Sequence, residues 1–179
     1  VMAYIKSIEP PTFPETTQPA LVDQGKMIFE TNCQRCHGSY GDNASYPNFL
    51  IPVTEVGTDP LLAEAHFALN DFESWYNGSW YGVTAPTARF TTEGGYIAPP
   101  LDGVWATAPY LHNGSVPNLW TLLKSGARPN YWRRTMDHMD YNLELVGWNY
   151  TELTEQSDKQ TYDTSLPGYS NQGHNFGDG

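Results

Sequence analysis

The chain is 179 residues long, the size of one domain with appended arms and too short for two full domains and a linker. Its 20 acidic and 9 basic residues leave a net charge of −11, which excludes binding to nucleic-acid phosphates or anionic lipid and favours a basic or small neutral partner. Only 16% of residues are charged, and 16 Gly with 14 Pro predict a loop-rich fold, while six Trp, twelve Tyr and seven Phe argue against disorder. No stretch approaches the length of a membrane span. The opening VMAYIKSIEPP lacks both the basic and the apolar region of a signal peptide, so the chain reads as a mature protein or a fragment.

Residues 1–9 read as the end of a helix, with Met2, Ile5 and Ile8 on one stripe and Pro10-Pro11 as its stop. The Pro- and Thr-rich run from Thr12 to Pro19 is a linker by composition. Leu21 to Asn32 then has the apolar spacing of a helix and leads straight into Cys33-Gln34-Arg35-Cys36-His37. C-x-x-C-H is the spacing of covalent c-type haem attachment: two thiols one helical turn apart reach two vinyl groups along one porphyrin edge, and the next imidazole falls beneath the iron. Cys33 and Cys36 are thus the predicted thioether residues and His37 the proximal ligand of one covalent haem c. A thioredoxin-like dithiol would need a strand before the motif and a helix after it, whereas a helical pattern precedes it and the loop Gly38-Ser39-Tyr40-Gly41-Asp42-Asn43 follows. A zinc site would need two more ligands at short spacing, and the next histidine is His66. Covalent haem attachment implies a periplasmic or extracellular bacterial protein.

Further along, Asp59-Pro60 opens a second helix, with Leu61, Leu62, Ala65, Ala68, Leu69 and Phe72 apolar and an end between Asn70 and Ser74. His66 faces solvent or the rim of that helix. Trp75 to Pro100 reads as loop with short strand pairing. A third helix is predicted from Pro117 to Ser125, entered at Ser115 or Val116 and closed by Gly126. After Pro129 the sequence predicts no helix, and its last 45 residues are acidic, polar and Tyr-rich, the composition of a surface arm.

Four stretches carry a family resemblance. Gly25-Lys26-Met27-Ile28-Phe29, ahead of Cys33, resembles the N-terminal helix of class I cytochromes c, in which the glycine permits a close helix crossing. Ala98-Pro99-Pro100-Leu101-Asp102-Gly103-Val104-Trp105-Ala106-Thr107-Ala108-Pro109-Tyr110-Leu111-His112-Asn113-Gly114 resembles the di-haem cytochrome c peroxidase superfamily. Tyr162 to Gly168 and Asn171-Gln172-Gly173-His174-Asn175-Phe176-Gly177 are similar to its rubber-oxygenase-like branch. Members usually carry two haems, one for electron transfer and one where peroxide or dioxygen reacts. This chain has one attachment motif, so the family's enzymatic activity does not carry over directly.

The sixth iron position decides between electron transfer and oxygen chemistry. The resemblance points to His174, whose other reading is an exposed residue on a tail. His112 is the second candidate, with a supporting place beside the haem as its commoner role in the superfamily. Met136 and Met139 are thioether candidates, and an open iron is the last alternative. Pro47 is placed to offer a carbonyl to the His37 ring. Leu101, Trp105, Tyr110, Leu119 and Leu122 are candidate porphyrin walls, and Arg89 and Arg128 candidate propionate partners. Four Asn-x-Ser/Thr matches, at Asn43, Asn77, Asn113 and Asn149, read as chance in a bacterial cytochrome.

The predicted fold is mostly α: a class I cytochrome c-like helical haem domain with long loops and extended N- and C-terminal arms. Residues 1–20 form an arm or the end of a preceding domain, 21–135 the haem domain, and 136–179 an arm closing over the haem. The leading functional expectation is a six-coordinate electron carrier whose partner is a redox protein or a neighbouring haem domain, oligomers included. The rivals are a peroxidase or oxygenase with an open iron and a subunit of an extracellular cytochrome polymer.

Overall fold

Prolines and glycines divide this chain so often that, among the described residues, one helix alone exceeds three turns. The computed structural model describes residues 1–65, 70–91, 94–176 and 178. Its α-helices are α1 (Met2–Lys6), α2 (Pro19–Asn32), α3 (Gln34–His37), α4 (Val53–Val56), α5 (Leu61–Glu64), α6 (Asn70–Gly78), α7 (Trp80–Val83) and α8 (Leu119–Leu122). Among the described residues the strands are β1 (Leu50–Pro52), β2 (Gly95–Ile97), β3 (Tyr131–Arg133), β4 (Tyr141–Asn142), β5 (Gly147–Trp148), β6 (Thr151–Leu153) and β7 (Tyr162–Asp163). They form three antiparallel sheets, β1-β2, β6-β3-β7 and β4-β5. None of the helices is long and apolar enough to cross a membrane among the described residues.

The mostly-α expectation is therefore wrong. Helical periodicity identified α2, which has Pro19 at its start, but overestimated the rest. Asn118 shows why. Its backbone is extended (φ −150°, ψ 167°) and its side-chain oxygen accepts the Thr121 N–H at 2.9 Å, so the helix expected from Pro117 begins only at Leu119. Gly126 lies within a 3-10 turn, Ser125–Ala127, instead of closing a helix. The second predicted helix is represented by α5, whose Leu61 N–H is capped by Asp59 Oδ1 at 2.9 Å, and by α6, which runs past Ser74 to Gly78. His66, Ala68 and Leu69 lie outside the described residues. Gly25 has open space where a Cβ would stand, so no close helix crossing uses it.

The C-terminal part is not an extended arm either. Its strands enclose Trp132, 3% exposed, whose indole N–H donates to the Ser115 carbonyl at 3.0 Å and whose ring stacks on Tyr162. Thr161, Asp163, Thr164 and Asn171 are buried there as well. These residues escape an apolar-pattern reading because their burial rests on hydrogen bonds: Thr164 donates to the Asn130 carbonyl, and Asn171 to that of Pro129. The best-packed region runs from Tyr110 to Trp132, with Ser115, Val116, Asn118 and Thr121 fully buried. In contrast, α2 buries no residue, and Leu21, Met27 and Ile28 are each more than half exposed. The total accessible surface is 12313 Å², well above the roughly 8,700 Å² of a compact monomer of this mass. This excess fits a small core built beside a hollow.

Candidate haem site

The hollow is a cavity of about 410 Å³. Cys33, Cys36 and His37 stand on one side and His174 on the other, and Leu101 and Leu122 contribute to the apolar walls between them.

On the proximal side α2 ends at Cys33, which hinges it to α3; the Cys36 and His37 N–H groups both donate to the Cys33 carbonyl. Both cysteines are unpaired. Burial, followed by the neighbouring Cys36, pushes the Cys33 thiol up from its ordinary pKa. Gly38 follows at φ 81°, and a Cβ there would lie 1.8 Å from the Ser45 carbonyl oxygen, so only glycine lets the chain fold back at once beneath His37. The His37 ring is oriented by Nδ1, which donates to the Pro99 carbonyl at 2.8 Å and leaves Nε2 as its free nitrogen. Tyr40 fastens the same junction: its hydroxyl donates to the His37 carbonyl at 3.0 Å and accepts the Leu101 N–H at 2.7 Å.

The distal side is irregular chain. Residues 168–174 are strapped by Asp59, which accepts the Gly168 and Ser170 N–H groups at 3.0 and 3.1 Å, and by Asn113, whose amide donates to the carbonyls of both residues. Gly173 presses on Gly57 so closely that a Cβ would meet its carbonyl carbon at 2.1 Å. His174 itself is left-handed at φ 49°, and its N–H donates to the Val56 carbonyl at 2.6 Å. Its Nδ1 is sealed inside the protein without a hydrogen-bond partner, so Nε2 is the nitrogen available to the cavity. Burial, then the nearby His37 and Arg128, lowers the His174 pKa and favours the neutral imidazole that can ligate a metal.

The His37 and His174 ring centroids lie 6.1 Å apart, with the ring planes tilted by 59°. Two metal–nitrogen bonds of about 2 Å, with the distance from each nitrogen to its ring centre added, span about 6 Å. Two thiols at one rim, apolar walls and a pair of imidazoles thus fit an iron porphyrin. Among the described residues no three His, Cys, Asp or Glu side chains gather around a point where a bare metal ion would be held.

The other sequence-picked residues divide. Leu101, Tyr110, His112 and Leu122 line the cavity; Trp105, Leu119, Pro47, Arg89, Met136 and Met139 do not. Trp105 instead packs edge-on to Phe13 and Tyr141, with its N–H on the Pro11 carbonyl. Tyr110 is 6% exposed, and its hydroxyl is directed to the Val104 and Val146 carbonyls. Burial pushes its pKa far up, so it serves as a neutral wall. The His112 ring stacks on Tyr96 at 4.1 Å, and partial burial lowers its pKa against the opposing influence of Asp59. Pro47 sits against Gly38, and the carbonyl that reaches His37 belongs to Pro99. Arg89 is exposed, as are Met136 at 82% and Met139 at 76%. The guanidinium of Arg128 is directed at backbone carbonyls rather than at the cavity.

Tyr40, Asp59, Asn113 and the Pro99 carbonyl were not singled out from the sequence for these roles. Asn113 was visible as a glycosylation triplet and as part of the family-like stretch, without this role, and no spacing rule specifies which carbonyl will meet an imidazole 62 residues away.

Comparison with known proteins places a signature on one wall of this cavity. Residues 95–133 match the family described as RoxA-like, cytochrome c-like, which supports a haem-binding, cytochrome-like role. Two Sinorhizobium fredii (strain NBRC 101917 / NGR234) proteins are similar, both described as uncharacterized. The protein y4iJ is 30% identical over 234 residues, covering 96% of this chain and 37% of its own length. The protein y4iM is 30% identical over 173 residues, covering 83% of this chain and 38% of its own length. The chain thus spans little more than a third of these relatives.

Proposed function

We propose, with a RoxA-like, cytochrome c-like segment walling the cavity as the premise, that this chain is an electron-transfer c-type cytochrome domain. In this reading Cys33 and Cys36 would hold one haem by thioether bonds, and His37 and His174 would hold its iron. The observation that carries it is the pair of imidazoles on the cavity lining with ring centres 6.1 Å apart. When bound, the haem supplies a one-electron iron couple, whose potential two histidines hold lower than a histidine–methionine pair would.

The protein's own groups perform the rest. The Pro99 carbonyl holds the His37 Nδ1 proton, which fixes the tautomer and raises the basicity of Nε2. Burial keeps His174 neutral. Leu101, Leu122 and Tyr110 place apolar surface on the cavity that the two rings share, which would limit the solvent reorganisation that accompanies each change of charge. The net charge of −11 suits docking to a basic face of a redox partner or to a neighbouring haem domain, in the periplasm or outside the cell.

Absorption and electron paramagnetic resonance spectra of the purified holoprotein test the reading. A low-spin ferric spectrum, a ferrous form indifferent to carbon monoxide and no thioether-to-iron band are expected. A high-spin ferric iron and immediate uptake of carbon monoxide would overturn the reading and make an open-site oxygenase or peroxidase the better one.

A further inference from the structure

Arg128 was a candidate for binding haem propionates, but every one of its donors is already committed. Nε donates to the Thr121 carbonyl at 3.3 Å, Nη1 to those of Asn171 and Gly173 at 2.6 and 2.7 Å, and Nη2 to those of Leu122 and His174 at 2.9 and 3.2 Å. A guanidinium has five N–H groups, so none remains for a carboxylate. Two of the five acceptors lie at the end of α8, where helix carbonyls lack partners of their own; the other three belong to the turn that ends in His174.

This arrangement has a cost and a consequence. Burial lowers the Arg128 pKa, which means the cation gives up water, and none of its hydrogen bonds is to a carboxylate. A neutral donor would satisfy one or two of these carbonyls without that loss. The planar fork, however, reaches carbonyls on two sides at once and sets their separation. The fixed object is the turn carrying a left-handed histidine whose own carbonyl is one of the five acceptors. Beyond it the chain is pinned to the 3-10 turn that follows α8, because the Asp178 carboxylate accepts the Ser125 N–H at 2.6 Å and the Ser125 hydroxyl.

We propose that Arg128 is the positioning residue of the distal ligand: its five-carbonyl clamp joins the end of α8 to residues 171–174 and holds the His174 imidazole at bonding distance from the iron. The proposal rests on the reading of His174 as the sixth ligand. Arg128 acts through the backbone of that turn and is not among the residues that line the cavity.

Three holoprotein variants test it: H174A, R128K and R128Q. Far-UV circular dichroism, ferric spin state and the ferrous carbon monoxide association rate are read for each. H174A is expected to be fully high-spin. R128K, a compact ammonium with three donors, should keep the wild-type far-UV spectrum, show a mixed spin state that millimolar imidazole returns to low-spin, and bind carbon monoxide at least tenfold faster than wild type; R128Q should go further. If H174A stays low-spin, the ligand is another residue, and the clamp's purpose falls with it. If H174A turns high-spin while R128K and R128Q keep the wild-type spectrum and rate and lose only melting temperature, the clamp proposal is overturned and the ligand reading stands. Failure of both Arg128 variants to accumulate folded would assign the residue to the fold at large, which also overturns the proposal.

Discussion

The two sides of the cavity are built by opposite means. On the proximal side, attachment and ligation residues lie within five consecutive positions, on a hinge between α2 and a single helical turn, and α2 buries none of its own side chains. On the distal side, one histidine sits in irregular chain, and its place depends on Asp59, Asn113 and Arg128, drawn from three distant parts of the sequence. In the proposed reading the proximal side would gain its order from thioether bonds to the haem, at Cys33 and Cys36. The distal side is ordered in advance by hydrogen bonds to buried backbone, each of which is costly to leave unmet. The comparison teaches that loss of the haem should loosen the first side far more than the second.

The most severe way to break this asymmetry is to remove both thiols. C33A/C36A should lose all haem that survives acid–acetone extraction, whereas the wild type keeps it. Hydrogen exchange of that variant should then show fast exchange across α2 and α3, with protection retained around Val116, Asn118, Thr121 and Trp132, the best-buried part of the chain. Equal loss of protection in both regions would mean that the distal scaffold depends on the cofactor as well.

The same asymmetry explains what was legible in the sequence. Cys33, Cys36 and His37 are readable because their chemistry demands fixed short spacing, and α2 because its apolar spacing is readable from Leu21 to Asn32, within the 14 residues that the helix spans. His174 was reached only through a family resemblance; nothing in its local composition separates a shaped turn from a tail. What shapes that turn is polar. Asp59 was visible as a helix cap, yet its second oxygen spans 109 residues to the Gly168 N–H. Arg128 was visible as a cation and was given an anionic partner, whereas its partners are carbonyls, which every residue possesses and no pattern marks. The fold class failed for a related reason: apolar spacing predicts where a helix can run but not where an Asn118 side chain will cut it short.

A smaller effect sharpens the distal half of the comparison. Gly173 is at φ 78°, and an added Cβ would lie 2.1 Å from the Gly57 carbonyl carbon and 2.3 Å from the Thr58 nitrogen. Left-handed strain and overpacking against backbone together predict that Gly173→Ala costs about 3 kcal/mol in a denaturant titration. Because the adjacent Val56 carbonyl receives the His174 N–H, the turn should move as a unit and raise the high-spin fraction of the ferric protein. A drop in stability with no change of spin state would separate the seat of Gly173 from the seat of the ligand.

The smallest effect is expected where the two halves are joined at the surface. Arg35, inside the attachment motif, pairs with Glu55 on α4, and α4 ends at the residue whose carbonyl holds the His174 N–H. By position this ion pair could serve as a strut between the two ligands. Its exposure argues otherwise: the side chains are 68% and 38% accessible, so water and salt screen the attraction while both chains lose rotamer freedom. Arg35→Gln should therefore shift the melting temperature by about 1 °C or less at physiological salt, leave the spin state untouched, and differ even less from wild type at high salt. A change of spin state in this variant would show that the proximal motif and α4 move together, and the two sides of the cavity would then have to be treated as one coupled element.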